Sequence, residues 1–155
     1  MAKLEAYLWF LFLQCLSEKK YVQRTGGYIV RAVWENHFLQ QLTQYYRKYQ
    51  ENSETITLKG FLATLPADYE QKLKTLGMNK SFVKFLLKND LEEEWQKAMT
   101  AHKEMVRVSQ SQAWQKELAE LDKVETLTGE QEQRQKEILQ SLRELTKKTT
   151  AESTS

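Results

Sequence analysis

The chain has 155 residues, a formal net charge of +2, and only five glycines, one proline and one cysteine. So few turn residues exclude a turn-rich sheet protein, and a lone cysteine excludes an internal disulfide framework. No apolar run in the sequence approaches the length that crosses a bilayer, so we expect a cytoplasmic protein with no membrane partner.

Abundant Leu, Lys, Glu and Gln favour helices, and the first two helices are predicted in the N-terminal third. The apolar run at residues 6–13 predicts a helix over residues 3–17 that is buried on nearly all sides and is not a targeting signal. Its Cys15 is expected to be a buried, small apolar side chain. The glycines at residues 26–27 mark a break. Apolar residues at steps of three and four then predict a second helix over residues 28–50.

Short helices are predicted after the second helix. Thr57 is suited to cap the first of them. Pro66 suits the first turn of the next, where its missing N–H is harmless. Gly77 is expected to end that helix in a left-handed conformation. Asn79 or Ser81 then caps a helix with the sequence KSFVKFLLK.

A long helix is predicted from Leu91, because three glutamates in its first turn suit the positive end of the helix dipole. The sequence SQSQ at residues 109–112 is expected to bend it. A T-x-x-Q capping box at residues 128–131 opens a last helix. Segments 114–127 and 129–147 therefore predict an antiparallel helical hairpin.

These elements predict an all-α bundle of about five to seven helices with a C-terminal helical hairpin. We expect a single domain over residues 1–148, with a basic part at 1–90, the long helix and hairpin at 91–148, and a disordered tail at 149–155. Residues 1–90 hold 13 Lys and Arg against 8 Asp and Glu, whereas residues 91–155 hold 10 against 13. The resulting charges of +5 and −3 suggest different partners, or copies stacked head-to-tail.

Residues that catalysis usually needs are scarce in this sequence. One cysteine and two histidines, His37 and His102, supply no zinc motif, and no Glu-x-x-His pair of a di-iron site is present. Glycine-rich phosphate loops and a nucleophile elbow are absent from the sequence. We therefore expect a protein that binds rather than catalyses, with no metal and no cofactor.

The most informative candidates for a functional site are basic. Lys80, Lys84 and Lys88 recur every four residues and so form one stripe along a helix. No acidic residue within that helix offsets them, and a phosphate backbone would. The alternative interpretation is that these lysines cover an ordinary solvated helix surface.

Two further basic groups favour nucleic-acid binding. Arg47 and Lys48 stand among tyrosines, an arrangement that suits single-stranded nucleic acid, although the same tyrosines continue the core stripe of the second helix. Arg24 and Arg31 flank the glycines at residues 26–27, where an exposed helix N-terminus would take a phosphate.

In size, helical character, lack of catalytic motifs and basic residues, the chain resembles the small subunits of CRISPR effector complexes, the type I-D variety in particular. The stretch GGYIVRAVWENHFLQQL is its most distinctive sequence. The resemblance implies a non-catalytic subunit, stacked in several copies beside other subunits. It implies backbone contacts, without sequence specificity, to a guide RNA–target DNA duplex or to the displaced single strand. By their own chemistry, the candidates for these phosphate contacts are Lys80, Lys84, Lys88, Arg31, Arg47, Lys48 and Arg24.

Two alternatives to nucleic-acid binding remain open. A protein-binding adaptor would dock its C-terminal hairpin on partner helices, and would show scattered basic residues and an exposed apolar stripe over residues 114–145. A small helical enzyme or cofactor carrier would need an enclosed pocket that holds either histidine with a carboxylate. Nucleic-acid binding would instead show a continuous positive face that joins the lysines of residues 80–88 with Arg31 or Arg47.

Overall fold

The computed structural model describes the backbone of residues 2–154 and the side chains of residues 3–146, and over this part of the chain it contains eight helices and no strand. The expected all-α fold is therefore confirmed. No described helix is both long and apolar enough to cross a membrane. The helices are α1 (Ala2–Glu18), α2 (Val22–Arg31), α3 (His37–Glu51), α4 (Leu58–Ala63), α5 (Ala67–Gly77), α6 (Lys80–Leu87), α7 (Leu91–Asp122) and α8 (Gly129–Thr154).

The chain divides into two compact units, unit 1 at residues 1–103 and unit 2 at residues 104–155. This division falls inside α7, whereas the change in charge along the sequence placed it after residue 90. α7 is one helix of 32 residues that continues through the SQSQ sequence at 109–112. Because that sequence contains neither Gly nor Pro, nothing in it removes a backbone hydrogen bond or favours a break.

Unit 1 is built around α1, which packs against α2, α4 and α5. Five consecutive side chains of α1, at residues 8–12, have no exposed surface, so the apolar run is buried on nearly all sides, as predicted. The ring of Trp9 lies against those of Trp34 and Phe61, with centroids 6.2 and 6.4 Å apart. Complete burial of a large apolar side chain contributes about 1.5–3 kcal/mol, which makes α1 the main source of hydrophobic stabilisation.

The prediction of a single helix over residues 28–50 is wrong, since residues 32–36 separate two helices. The cause lies in α1, where the buried carboxylate of Glu5 accepts the backbone N–H groups of Glu35 (2.7 Å) and Asn36 (3.0 Å). In a continuous helix those N–H groups would bond to carbonyls four residues earlier. The Asn36 side chain then caps α3 by accepting a backbone N–H of its first turn.

The break expected at Gly26 and Gly27 is also wrong, because both glycines lie inside α2. A Cβ at position 26 would lie 2.8 Å from the hydroxyl oxygen of Tyr46, so close packing of α2 on α3 requires glycine there. Gly77 ends α5, but it does not have the positive φ expected of a left-handed cap.

Local capping chemistry is the feature that the sequence predicts best. Thr57 opens α4 and Asn79 opens α6, each by accepting the backbone N–H three residues later. Thr128 and Gln131 form the reciprocal bonds of the predicted capping box, at 2.9 and 3.2 Å. Pro66 directly precedes α5, one residue before its expected place.

α8 extends to Thr154, beyond the helix end expected near residue 147 and into the segment at 149–155 for which disorder was predicted. That segment contains Ser and Thr but no Gly or Pro, so its composition does not force the helix to end. Side chains from residue 147 onwards, and all of residue 155, lie outside the described residues.

Candidate functional site

The three candidate lysines lie on the outer face of α6. Lys80 is the first residue of this helix, Lys84 follows one turn later, and Lys88 is the residue at its C-terminal cap. All three side chains are exposed. With a helical rise of about 1.5 Å per residue, successive lysines are about 6 Å apart along the axis. We call these three residues the lysine ridge.

Among the described side chains, no carboxylate forms an ion pair with the lysine ridge, and three of the four acidic residues at 90–94 are engaged elsewhere. Asp90 caps the first turn of α7, with a 3.2 Å bond from a backbone N–H. Glu92 pairs with Arg24 at 2.9 Å. Glu94 accepts the hydroxyl of Tyr7 at 3.1 Å. No described ion pair therefore compensates the charge of the ridge.

Arg24 is engaged by its own neighbours. Besides its ion pair with Glu92, its guanidinium lies 4.8 Å above the ring centroid of Tyr21. Both partners of the ion pair are exposed, so the pair adds little to stability. It does neutralise the charge that Arg24 would offer to a phosphate.

Arg31 and Arg47 both donate to backbone carbonyls of α2, and Arg47 caps its C-terminal end. Arg31 Nε donates to the carbonyl of Gly27 at 2.9 Å, and Arg47 Nη2 donates to the carbonyl of Val30 at 2.6 Å. The last carbonyls of a helix have no intrahelical partner, and cations suit the negative end of its dipole. Both arginines therefore have a structural role, although a guanidinium keeps further N–H donors. Lys48, next along the chain, is exposed.

The structure does not join the lysine ridge and Arg47 into one positive face. Rings of α6 contact Tyr7 and Phe10 of α1. Tyr46 of α3 instead meets Phe12 of α1, edge-on at 4.9 Å. At 3.6 residues per turn, Tyr7 and Phe10 each lie about 140–160° from Phe12 around the helix axis. α6 and α3 thus pack on different sides of α1.

The tyrosines around Arg47 belong to the core. Tyr46 and Tyr49 are buried, and the half-buried Tyr45 packs on the ring of Tyr69 with centroids 5.4 Å apart. Stacking on a nucleic-acid base needs an exposed ring face. The tyrosines of this segment therefore form the core stripe of α3 and do not offer a stacking surface.

A cluster of buried polar side chains joins α1, α2 and α7. The only feature of the sequence that could have indicated it is Glu5, a single carboxylate directly before the apolar run. Glu5 and His102 have no exposed surface, and Glu5 Oε2 lies 3.5 Å from His102 Nε2. This separation is an electrostatic contact, longer than a well-formed hydrogen bond. On the other side of the ring, the Tyr28 hydroxyl lies 2.5 Å from His102 Nδ1.

Burial decides the protonation of this cluster. Burial lowers the pKa of His102, although the nearby carboxylates of Glu5 and Glu35 act in the opposite direction. The ring is therefore neutral near pH 7, and the position of Glu5 assigns the proton to Nε2, which leaves Nδ1 to accept from Tyr28. Burial also raises the pKa of Tyr28 to about 12, so its hydroxyl remains a donor.

The His102–Glu5 pair is the histidine–carboxylate pair that an enzyme would need, but neither solvent nor a substrate reaches it. Both side chains are 0% exposed, and the imidazole stacks on Trp34 with centroids 5.0 Å apart. In this packed setting the pair holds three helices together. His37, the other histidine, is exposed at the start of α3.

Other reactive groups are equally confined. The described residues contain no group of three His, Cys, Asp or Glu side chains that could hold a metal ion. Cys15 is buried as expected, and burial raises the pKa of its thiol to about 11. Because only the thiolate is a nucleophile, this cysteine is unreactive near neutral pH.

Unit 2 is an antiparallel pair of helices with little core. Arg134 of α8 binds Glu117 of α7 through two hydrogen bonds, at 2.7 and 3.0 Å, close to the loop that joins the helices. Further from that loop, side chains of α7 and α8 together line a groove of about 440 Å³. Between residues 104 and 146, Ile138 is the only buried side chain.

Unit 2 leaves a line of apolar side chains partly exposed. Two packed helices each bury one narrow stripe, and a full core needs a further layer. Three apolar residues on the margins of the pair, Val108, Val124 and Leu139, are 45%, 40% and 42% exposed. The half-buried residues between them, which we call the apolar seam, are Trp114, Leu118, Leu121 and Leu142.

The loop end of unit 2 is acidic. Residues 117–132 contain six Asp and Glu and one Lys, a net charge of −5. Only Glu117 of this group has a described ion-pair partner, Arg134. Negative charge therefore surrounds one end of the apolar seam.

Comparisons of the chain with protein-family models, with curated proteins and with solved structures find no match.

Proposed function

We propose that this chain is a non-catalytic adaptor whose C-terminal helix pair docks on helices of a partner protein. The observation that carries the proposal is the partly exposed apolar seam of unit 2. Two helices cannot enclose such a seam, whereas a third or fourth helix laid along it completes a bundle. Each Å² of apolar surface removed from water in this way contributes about 25 cal/mol.

Charge next to the seam defines the partner further. Because residues 117–132 carry a net charge of −5, a partner with an apolar helical stripe and basic flanks is complementary to unit 2. Such complementarity favours the correct orientation and speeds association. The basic residues of unit 1 also fit an adaptor, because Arg24 is neutralised by Glu92 and Arg47 is on a different side of α1 from the lysine ridge.

The test is affinity capture from a cell extract with three full-length baits, quantified by mass spectrometry. The baits are the wild type, the seam variant Leu118→Ser/Leu142→Ser, and the control Val33→Ser/Val83→Ser, which alters exposed valines of unit 1. We expect a protein that the wild type and the control retain and the seam variant loses. Once purified, that protein should bind with a Kd on the order of micromolar or tighter.

Circular dichroism of the three baits distinguishes a loss of docking from a loss of folding. A seam variant with wild-type helix content is folded, and differs from the wild type only in the side chains of the seam. If such a variant captures the same proteins as the wild type, the proposed docking surface is wrong. Sedimentation of the wild type and the seam variant identifies the remaining case, in which the partner is a second copy of the chain stacked on the first.

The lysine ridge favours a second function, contact with a nucleic-acid backbone. Three exposed cations along one helix, with no carboxylate paired to them among the described residues, repel one another, and phosphates would relieve that repulsion. This is the role implied by the resemblance to small subunits of CRISPR effector complexes. The ridge would be the primary contact and Lys48 an additional one, because Arg24, Arg31 and Arg47 already have protein partners.

Fluorescence anisotropy tests this second function with labelled DNA and RNA at low and moderate salt. We expect binding to any sequence, weakening as salt rises, and lost in Lys80→Ala/Lys84→Ala/Lys88→Ala. The matched control removes three exposed lysines elsewhere, with Lys59→Ala/Lys116→Ala/Lys136→Ala. Equal losses in both variants would mean that only total charge matters and that the ridge is not a site.

A further inference from the structure

We infer that α6 distinguishes single-stranded from double-stranded nucleic acid, with the ring of Phe85 as the platform on which an unpaired base stacks. This inference rests on the nucleic-acid contact proposed for the lysine ridge. It concerns the apolar side chains that flank the ridge.

Two solvent-exposed apolar side chains border the lysine ridge. Phe85 precedes Lys88 by three residues and is 50% exposed. Leu87 follows Lys84 by three residues and is 82% exposed. Residues three apart are neighbours on a helix surface, so each of these side chains adjoins a lysine. The outer face of α6 therefore alternates cations with apolar surface, and does not consist of solvated lysines alone.

The ring of Phe85 is held in place. It packs nearly perpendicular to the ring of Tyr7, with centroids 5.9 Å apart and planes at 76°. Tyr7 is anchored in turn, because its hydroxyl donates to Glu94 at 3.1 Å. A ring that is held by such a contact and half exposed loses little conformational freedom when it stacks on a ligand. Phe85 is thus prepared for stacking in a way that a freely rotating surface side chain is not.

Strand preference follows from what each form of nucleic acid offers to these groups. Both forms present phosphates to the lysines, so the ridge by itself does not discriminate. In a duplex the base faces are covered by their neighbours, and Phe85 gains nothing. An unpaired base presents its π-face, and a base stacked on an aromatic ring adds affinity without depending on sequence. The combination of Phe85 with Lys84 and Lys88 therefore favours single strands.

The experiment is a set of anisotropy titrations of the full chain with a labelled 20-nucleotide single strand and the matching duplex, at several salt concentrations from low to moderate. The variants are Phe85→Ala, Phe85→Leu and the triple lysine variant of the ridge, with Val33→Ala as an exposed apolar control. We expect both Phe85 variants to weaken single-strand binding about fivefold or more and to leave duplex binding unchanged. The salt dependence should stay at its wild-type slope in Phe85→Ala and decrease in the lysine variant.

Different results would overturn the strand preference of Phe85 and the phosphate contact of the lysine ridge. If the lysine variant weakens binding but both Phe85 variants match the wild type, the phosphate contact stands and the strand preference is overturned. If the duplex binds as tightly as the single strand, the preference is overturned as well. If the wild type binds neither form, or the lysine variant binds as the wild type does, α6 is not a nucleic-acid site and both statements fall.

Discussion

Unit 1 and unit 2 differ in how they bury their largest side chains. In unit 1 the rings of Trp9, Tyr46 and Phe61 have at most 1% of their surface exposed. In unit 2 the one tryptophan, Trp114, is half-buried, and among residues 104–146 only Ile138 is buried. Unit 1 is thus stabilised by contacts between residues distant in sequence, and unit 2 mainly by its own helices and one seam. The comparison teaches that an apolar pattern in the sequence makes a core only where enough helices surround it.

The sharpest test of this comparison removes one tryptophan from each unit. Trp9→Ala should cost about 3–5 kcal/mol of unfolding free energy, since it leaves a large cavity in a closed core. Trp114→Ala should cost less, roughly 1–2 kcal/mol, because that side chain is only partly buried and its removal leaves no enclosed cavity. Urea unfolding followed by circular dichroism measures both, and equal losses would refute the difference between the units.

The buried carboxylate of α1 is the next largest contribution to unit 1. Glu5→Ala leaves the N–H groups of Glu35 and Asn36 without their acceptor, so we expect a loss of about 2–3 kcal/mol. Glu18→Ala, at an exposed position of the same helix, should change stability by less than about 0.5 kcal/mol. Faster amide hydrogen exchange at residues 35 and 36 in Glu5→Ala would locate the effect, and unchanged exchange would contradict it.

The two neighbouring glycines of α2 predict opposite effects of one substitution. Gly26→Ala places a Cβ 2.8 Å from the hydroxyl oxygen of Tyr46, and should destabilise unit 1 by about 1–3 kcal/mol. At Gly27 the nearest atom, at 3.6 Å, belongs to the side chain of Arg31, so Gly27→Ala should stabilise the helix by about 0.5–1 kcal/mol. Thermal unfolding shows the sign of each change, and a stabilised Gly26→Ala would disprove the close packing.

The smallest effect at neutral pH comes from His102, whose pKa is lowered by burial. Below the ordinary value of about 6.5 the unfolded chain binds a proton that the folded chain does not, so folding stability is full above this pH and falls as the pH decreases. The opposing carboxylates are Glu5 and Glu35. Urea unfolding at pH 5, 6 and 7 should show a steeper loss for the wild type than for His102→Gln, and equal slopes would exclude His102 as the cause.

Features that depend on neighbouring residues were predictable from the sequence. The caps at Thr57, Asn79 and Thr128 need only a side chain and a backbone N–H three residues later, and all three are present. The lysine ridge needs only a spacing of four on a helix. The apolar stripe of the C-terminal helix pair also follows from spacing, although its exposure depends on how few helices surround it.

Features that depend on distant residues were not predictable in this way. The break between α2 and α3 is caused by Glu5, 30 residues before Glu35, and the only local signal at residues 32–36 is the helix-capping Asn36. The engagement of Arg24 by Glu92 and of Arg47 by the carbonyl of Val30 also depends on distant residues. Each of these contacts gives a candidate for phosphate binding a partner within the protein.

By itself the sequence determined that the chain is helical, where three of its helices are capped, and that three lysines share one helix face, because hydrogen bonding and helical periodicity act over a few residues. Only the tertiary structure decided where the long N-terminal segment breaks, which basic residues keep an unpaired charge, and which apolar stripe stays open. Those outcomes depend on burial and on partners far apart in the chain, and both exist only after the helices have packed.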